Sequence, residues 1–279
     1  MDANVFELNS KIEMTHWWFV ARRRIISRLV THLIPPSPSR TVVDVGCGTG
    51  GNLSQLANDY RCIGIDPSEE AIRWAKKRFP HMTFVHGYAP EDLNDDQRQA
   101  DIFMLNDVLE HVPDDFSLLS NLLAASKPGS YFVITVPADM SLWSPHDVSH
   151  GHYRRYTMER LSAVWKGLPV RCVLCSHFNS RLYPIVKFLR GINRRNRAAS
   201  GDQGTDLKVP SRWVNASLTQ VFEGESRRLL DLLDRGDGEG YRRGVSLVAI
   251  LSRNDGEMTP RNRPPALDDD PALRESFKS

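Results

Sequence analysis

The sequence predicts an α/β fold, a mostly parallel sheet covered by helices on both faces, and three observations carry that prediction. Short β-branched or apolar runs alternate with segments of helical periodicity along residues 40–137. The first run, Val42 to Val45, ends in a glycine-dense turn from Gly46 to Gly51 and then enters a helical pattern, Asn52 to Asn58. The next, Arg61 to Asp66, closes on a carboxylate twenty residues after Gly46. Strand, tight turn and helix N-terminus together bring backbone N–H groups close to a ligand. Glycine is needed where positive φ or a missing Cβ lets that ligand touch the main chain.

Two carboxylates narrow the ligand. Asp66 is placed to hold two ribose hydroxyls, as any adenosine cofactor requires. Asp44, two residues before the first glycine, is placed to accept hydrogen bonds from a ligand's ammonium or from loop amides. Gly46, Gly48 and Gly51 also satisfy the G-x-G-x-x-G spacing, so the glycines alone leave a nicotinamide-dependent oxidoreductase open.

Four motifs then follow in order: Val42-Val-Asp-Val-Gly-Cys-Gly-Thr-Gly50, Gly64-Ile-Asp-Pro-Ser68, Asp101-Ile-Phe-Met-Leu-Asn-Asp-Val-Leu-Glu-His-Val112 and Lys127-Pro-Gly-Ser130. In order and spacing they resemble the class I S-adenosylmethionine (SAM)-dependent methyltransferases. The flanks, His16 to Arg22, Trp143 to Asp147 and Gly151 to Tyr156, resemble a bacterial subfamily associated with cell-surface polysaccharide genes. The resemblance implies a Rossmann-like seven-stranded sheet with its last strand antiparallel. It implies SAM as cofactor, lined by Gly46, Gly48, Gly50, Asp66, Tyr88, Ala89 and Asn106, with Asp44 in support. Similar enzymes usually carry an acid where Tyr88 stands, so here the adenine is flanked through the Tyr88 hydroxyl or the backbone. A nicotinamide enzyme would leave Asp44 and the Asn106 to His111 stretch unexplained.

Composition sets the outer bounds. A chain of 279 residues, 41% hydrophobic, holds one α/β domain with insertions and a sizeable core. With 36 basic and 34 acidic residues the net charge is +2, which gives no global case for nucleic-acid binding. Cys47, Cys62, Cys172 and Cys175 fall in strands or the turn, against a secreted disulfide framework. Cys172 and Cys175 lack the second pair that a zinc site needs, and read as strand packing. No signal peptide is evident and no apolar run approaches the ~20 residues of a spanning helix, so the expected location is the cytoplasm.

Taken in order, residues 1–39 form an N-terminal helical cap. Ile26, Leu29, Val30 and Leu33 share one helix face, and Pro35-Pro36 stops it. By resemblance this helix closes over the cofactor, with Trp17, Trp18 and Phe19 nearby and Arg22 meeting the methionine carboxylate. The plainer alternative packs the aromatics onto the sheet and leaves the arginines solvated. Residues 40–177 make the SAM-binding core: a helix from Ser68, a strand at Met82, another at Asp101, a helix from Leu118, strands from Ser130 and Val170, and Thr157 as an N-cap. Residues 178–243 are a helical substrate-cap insertion between strands six and seven, far longer than an ordinary connection. Its first helix carries Leu182, Ile185, Val186 and Leu189 beside a basic run, which makes peripheral contact with the inner face of a membrane one reading and a solvated face the other. Ala198 to Asp206 reads as a flexible linker, residues 244–253 as the final strand and residues 254–279 as a disordered tail.

The acceptor site is expected between Trp143 and Tyr156, after strand five and therefore on the carboxyl edge of the sheet. Three readings compete there. His146 with Asp147 nearby, or His152, is a general base for a hydroxyl nucleophile. Alternatively His146, Asp147 and His152 bind a divalent metal that acidifies the acceptor. In the third reading the segment is a structural lid whose arginines pair with acids. The metal-free base is the preferred one. Trp143, Arg154, Arg155 and Tyr156 are the candidate substrate contacts, the arginines as bidentate clamps or, equally, as salt-bridge partners of Asp107, Glu110 or Asp147. The expected activity is methyl transfer from SAM to an oxygen of a small molecule or a lipid-linked glycan. A SAM-binding partner protein without catalysis is the other class.

Overall fold

The structure, a computed structural model, describes residues 7, 10–196, 209–236, 240–256, 258, 259 and 261. Seven strands form a single sheet: β1 (Ser37–Val45), β2 (Tyr60–Asp66), β3 (Thr83–His86), β4 (Ile102–Asn106), β5 (Tyr131–Pro137), β6 (Val170–Phe178) and β7 (Ser246–Arg253). Their spatial order is β3-β2-β1-β4-β5-β7-β6. The first five pair in parallel, and β7 runs antiparallel between β5 and β6. This is the seven-stranded Rossmann-like sheet expected from the sequence, its antiparallel last strand included.

Strand alternation distributes the side chains to two cores. From β1, Val43 and Val45 enter a layer with Phe103, Phe132 and the helix α4 (Asp115–Ala125). Val42 enters the other, against Ile25 and Leu29 of the helix α1 (Trp17–Leu33). The Phe103 and Phe132 rings stack with centroids 5.1 Å apart. Each such side chain removed from water contributes about 1.5–3 kcal/mol. Because both faces are covered, slipping β1 by one residue would exchange its buried sets, so the register of Asp44 opposite Gly64 and Met104 is firmly specified.

The remaining helices follow the pattern with local differences. They are α2 (Glu69–Arg78), α3 (Asp95–Arg98), α5 (Pro145–Ser149), α6 (Met158–Ala163), α7 (Tyr183–Asn196), α8 (Arg212–Glu223) and α9 (Ser226–Arg235). Ser68 caps α2 by accepting from the Ala71 N–H at 3.3 Å, and Thr157 caps α6 by accepting from Arg160 N–H at 3.1 Å. The helix expected over Asn52 to Asn58 is instead a short 3-10 turn, Gly51–Gln55. Leu53 and Leu56, three residues apart, are both buried, and i→i+3 bonding places them on one side before the chain enters β2.

The insertion between β6 and β7 folds back onto α1. Arg24 and Arg28 pair with Glu223 of α8, and Arg28 also donates to Ser226 Oγ at 2.7 Å. Asn215 accepts from the Trp17 N–H at 2.9 Å and donates to the Thr15 carbonyl at 2.8 Å. These two arginines are therefore ion-paired rather than simply solvated. The expected linker, Ala198 to Asp206, lies outside the described residues. Of the segment read as a disordered tail, Arg261 donates its N–H to Ser120 Oγ at 2.8 Å and Met258 packs on the core. Most of that segment lies outside the described residues.

Candidate functional site

Strand order reverses between β1 and β4, and their carboxyl ends diverge to open a crevice. There the chain encloses a cavity of about 1010 Å³. Its walls come from α1, the glycine turn, the ends of β2 and β4, the segment after β5, and α7. Among the described residues no helix is long and apolar enough to cross a membrane.

The glycine turn forms one side. Gly46 has φ +67°, and a Cβ there would sit 2.7 Å from Val108 Cγ2. Gly48, φ +53°, has open space where its Cβ would be, so a ligand reaches the backbone. Asp66 braces this turn, accepting from Gly48 N–H and Ser68 N–H at 2.9 Å each. Burial pushes its carboxyl up from the ordinary range. Each oxygen has one donor and retains a lone pair. Tyr88 and Ala89 sit beside it, Tyr88 68% exposed at the rim and Ala89 buried. Asn106 lines the cavity and donates from Nδ2 to Asp44 Oδ1 at 3.3 Å, while its own Oδ1 has no partner. Asp44 stands fully buried behind it, its pKa pushed up to about 7 by burial. Gly50 departs from expectation. Its φ is +84°, and a Cβ would meet Phe84 of β3 at 2.9 Å and Phe79, just after α2, at 3.1 Å, so it faces these two rings and does not line the cavity.

The second wall is α1. Trp17, Trp18 and Phe19 all line the cavity, and the Arg22 guanidinium lies 4.3 Å over the Trp18 ring. Arg22 is buried, paired with Asp107 and donating to Asn52 Oδ1 at 3.2 Å. Burial draws its pKa down to about 10, still charged at any working pH. Asp107 holds φ +55°, a left-handed conformation costly for a non-glycine residue. So Arg22 is in the cavity as expected, but anchored to a carboxylate of the β4 loop.

The roof is the polar segment after β5. His146, His150 and His152 line it, with His111 from the β4 loop beneath. The rings of His146 and His150 lie 3.9 Å apart and those of His111 and His152 4.6 Å apart. Burial drives His146 and His111 down to about 3, so both are neutral near pH 7. Asp147 belongs to His152 and not to His146, its Oδ1 lying 3.0 Å from His152 Nδ1. The same carboxylate accepts from Arg155 Nε at 2.8 Å, Arg155 Nη2 at 3.2 Å and Ser144 N–H at 2.8 Å. Burial alone would raise Asp147, but His152 and Arg155 outweigh it and hold the carboxyl well below its usual range.

Several expected substrate contacts are turned inward. Arg154 is 1% exposed and donates to the carbonyls of Leu109, Val112 and Pro113. The Tyr156 hydroxyl is buried and donates to Asp115 Oδ2 at 2.8 Å. Neither lines the cavity, and nor does Trp143. Arg155 reaches the cavity wall with its guanidinium committed to Asp147 and to the Ala138 carbonyl, 3.0 Å away. The salt-bridge alternative is the geometry found for Arg155. The metal set of His146, Asp147 and His152 is not assembled, because Asp147 is saturated by Arg155 and Ser144 and sits behind the wall.

Two residues the sequence did not flag for chemistry are prominent. Glu110, named in the sequence only as a possible partner of the arginines, is fully buried in the cavity wall with neither oxygen bonded by another residue, and burial raises it to about 8. Glu13, in a stretch without pattern, accepts from Thr49 Oγ1 at 2.7 Å and pairs with Arg78, closing over the glycine turn.

Comparison with known proteins bears on this cavity. A family model described as methyltransferase domain matches residues 16–180, more than half of the chain. The trans-aconitate 2-methyltransferase of Variovorax paradoxus is 32% identical over 123 residues, 42% of this chain and 45% of that protein. The chain spans about half the length of the curated relatives it matches. Among solved structures, the plantazolicin methyltransferase BpumL in complex with SAH superposes with TM-score 0.54 at 15% identity, covering 90% of each chain. The [4+2]-cyclase SpnF superposes with TM-score 0.51 at 13% identity, covering 84% of this chain and 81% of that one. At such identities the structures speak for the fold alone.

Proposed function

We propose, from the premise that the chain belongs to the methyltransferase-domain family, that it moves the methyl group of SAM to an oxygen atom of a small-molecule acceptor. The observation carrying this reading is a single cavity with the braced glycine turn on one side and a roof of His146, His150 and His152 on the other. The residues fit the cofactor: open backbone at Gly48, free lone pairs on Asp66 for ribose hydroxyls, and the unpartnered Asn106 Oδ1 for a donor. SAM supplies an activated methyl on a sulfonium and leaves as S-adenosylhomocysteine. The chain's own residues supply alignment, exclusion of water and, for a hydroxyl acceptor, removal of a proton. His152 is the base this geometry favours. Asp147 at Nδ1 fixes the tautomer that leaves the Nε2 lone pair for the acceptor and stabilises the imidazolium that forms. His146 has no such carboxylate, and a pKa of about 3 makes it a poor proton acceptor.

The acceptor is a small molecule, consistent with α1 and α7 flanking the cavity. A lipid-linked glycan at a membrane surface is the narrower reading raised by the flanking motifs, and no feature of the cavity favours it. A carboxylate acceptor is the second reading, drawn from the relatives named for trans-aconitate, and it would need no base. Transfer of labelled methyl from SAM into hydroxyl- and carboxyl-bearing candidates, by wild type and Asp66→Ala, tests the proposal. Label incorporated by wild type and lost in the variant supports it. SAM binding with no turnover on any acceptor would favour a non-catalytic SAM-binding partner.

A further inference from the structure

We propose that Glu110, His111 and His152 bind a divalent transition-metal ion in the roof of the acceptor half of the cavity. One potential ligand atom from each of the three lies within 4.8 Å of the other two, close enough to surround a single ion. Glu110 supplies the independent pointer. It is fully buried, lines the cavity, and neither carboxylate oxygen is bonded by another residue. The two guanidiniums whose charge it feels, Arg22 and Arg155, are committed to Asp107 and Asp147. A carboxyl group removed from water with no donor of its own either keeps its proton or gives it up to a cation that enters the cavity beside it.

His152 is oriented as a metal-binding imidazole usually is, with one nitrogen engaged and the other left bare. His152 Nδ1 lies 3.0 Å from Asp147 Oδ1, and Asp147 is locked by Arg155, so Nε2 is the free donor. The His111 ring packs edge-on against the His152 ring, with centroids 4.6 Å apart, and lines the same cavity. Two imidazoles and one carboxylate form a borderline N/O donor set that suits zinc, manganese, iron(II) or cobalt over the all-oxygen preference of magnesium and calcium. Three protein ligands leave coordination positions open to the cavity, where an acceptor oxygen would bind and become more acidic. With an ion bound, His152 would serve as ligand in place of base, and the chemistry supplied would be a lowered pKa of the acceptor oxygen.

The inference deepens the methyl-transfer reading, on which only its catalytic purpose rests. Binding is tested directly with the full chain, stripped with EDTA and titrated with Co²⁺ by calorimetry while its visible d–d absorption is recorded. The result expected is one equivalent bound, with affinity falling at least tenfold in Glu110→Gln and in His111→Ala, and a changed spectrum in His152→Ala. Circular dichroism confirms that each variant is folded, and S-adenosylhomocysteine is titrated into the same samples. Absence of stoichiometric Co²⁺ binding in wild type, or binding that all three folded variants retain unchanged, would overturn the metal site. If S-adenosylhomocysteine still binds, the methyl-transfer reading survives that result. Co²⁺ bound at these residues without S-adenosylhomocysteine would uphold the site and sink that reading.

Discussion

Arg155 separates two jobs that the sequence left equal, a clamp on the acceptor and a strut for the roof. Its guanidinium makes two hydrogen bonds to Asp147, at 2.8 and 3.2 Å, and a third to the Ala138 carbonyl at 3.0 Å. Arginine and carboxylate side chains are 3% and 0% exposed. Arg155→Ala would leave Asp147 buried with only the Ser144 donors and His152. Breaking one side of a buried pair typically destabilises by about 3–5 kcal/mol. At roughly 2–4 °C per kcal/mol for a domain of this size, the melting temperature should fall by about 10 °C. The loss has a defined pH dependence. Asp147 is held well below its usual range when folded, so its contribution is full above the unfolded value of about 4 and fades as pH falls further. The gap between wild type and Arg155→Ala should therefore be widest near neutrality and narrow below pH about 4. Urea unfolding at both pH values, with steady-state kinetics, reads this out. A variant within about 1 kcal/mol of wild type at pH 7 whose only defect is a raised acceptor KM would refute the strut and restore the clamp.

Gly46→Ala should destabilise by roughly 1–3 kcal/mol, because it combines positive φ with a Cβ placed against Val108, and thermal melts measure it. His152→Ala should lower kcat by about 10²-fold or more on a hydroxyl acceptor, while His146→Ala leaves it within a few-fold. Equal losses in the two variants would contradict the assignment of the base, and no loss in either would move the acceptor toward a carboxylate. Glu223→Gln removes a half-exposed pair of arginine contacts between α1 and α8 and should cost under about 1 kcal/mol, less at high salt.

The fold was legible because its signals are local. β-branched runs, the glycine turn and carboxylates at strand ends each report on a few neighbouring residues, and the seven-stranded sheet with its antiparallel last strand was implied by the family resemblance of the four motifs. The glycine side of the cavity was legible for the same reason: Gly46, Gly48, Asp66 and Asn106 belong to motifs of fixed spacing, and all four line it. The acceptor half was less so. Asp147 is one residue from His146, yet α5 turns it toward His152, five residues on. Arg154 and Arg155 are adjacent and polar, but one reaches the β4 loop carbonyls and the other Asp147. Glu110 carried no pattern marking it as buried without a donor, because its isolation depends on Asp107 and Asp147 taking the nearby arginines. Glu13 contacts the glycine turn from the weakly patterned start of the N-terminal cap. For Arg154 and Glu13 the deciding contact joins elements distant in sequence, and for Asp147 it depends on how the short helix α5 turns.

The most direct measurement is calorimetric titration of the purified protein with S-adenosylhomocysteine and, separately, with NADH. The account predicts micromolar binding of S-adenosylhomocysteine and none of NADH, with the Asp66 carboxylate and the open backbone at Gly48 as its anchors. Binding of NADH, or failure of folded protein to bind S-adenosylhomocysteine, would contradict it.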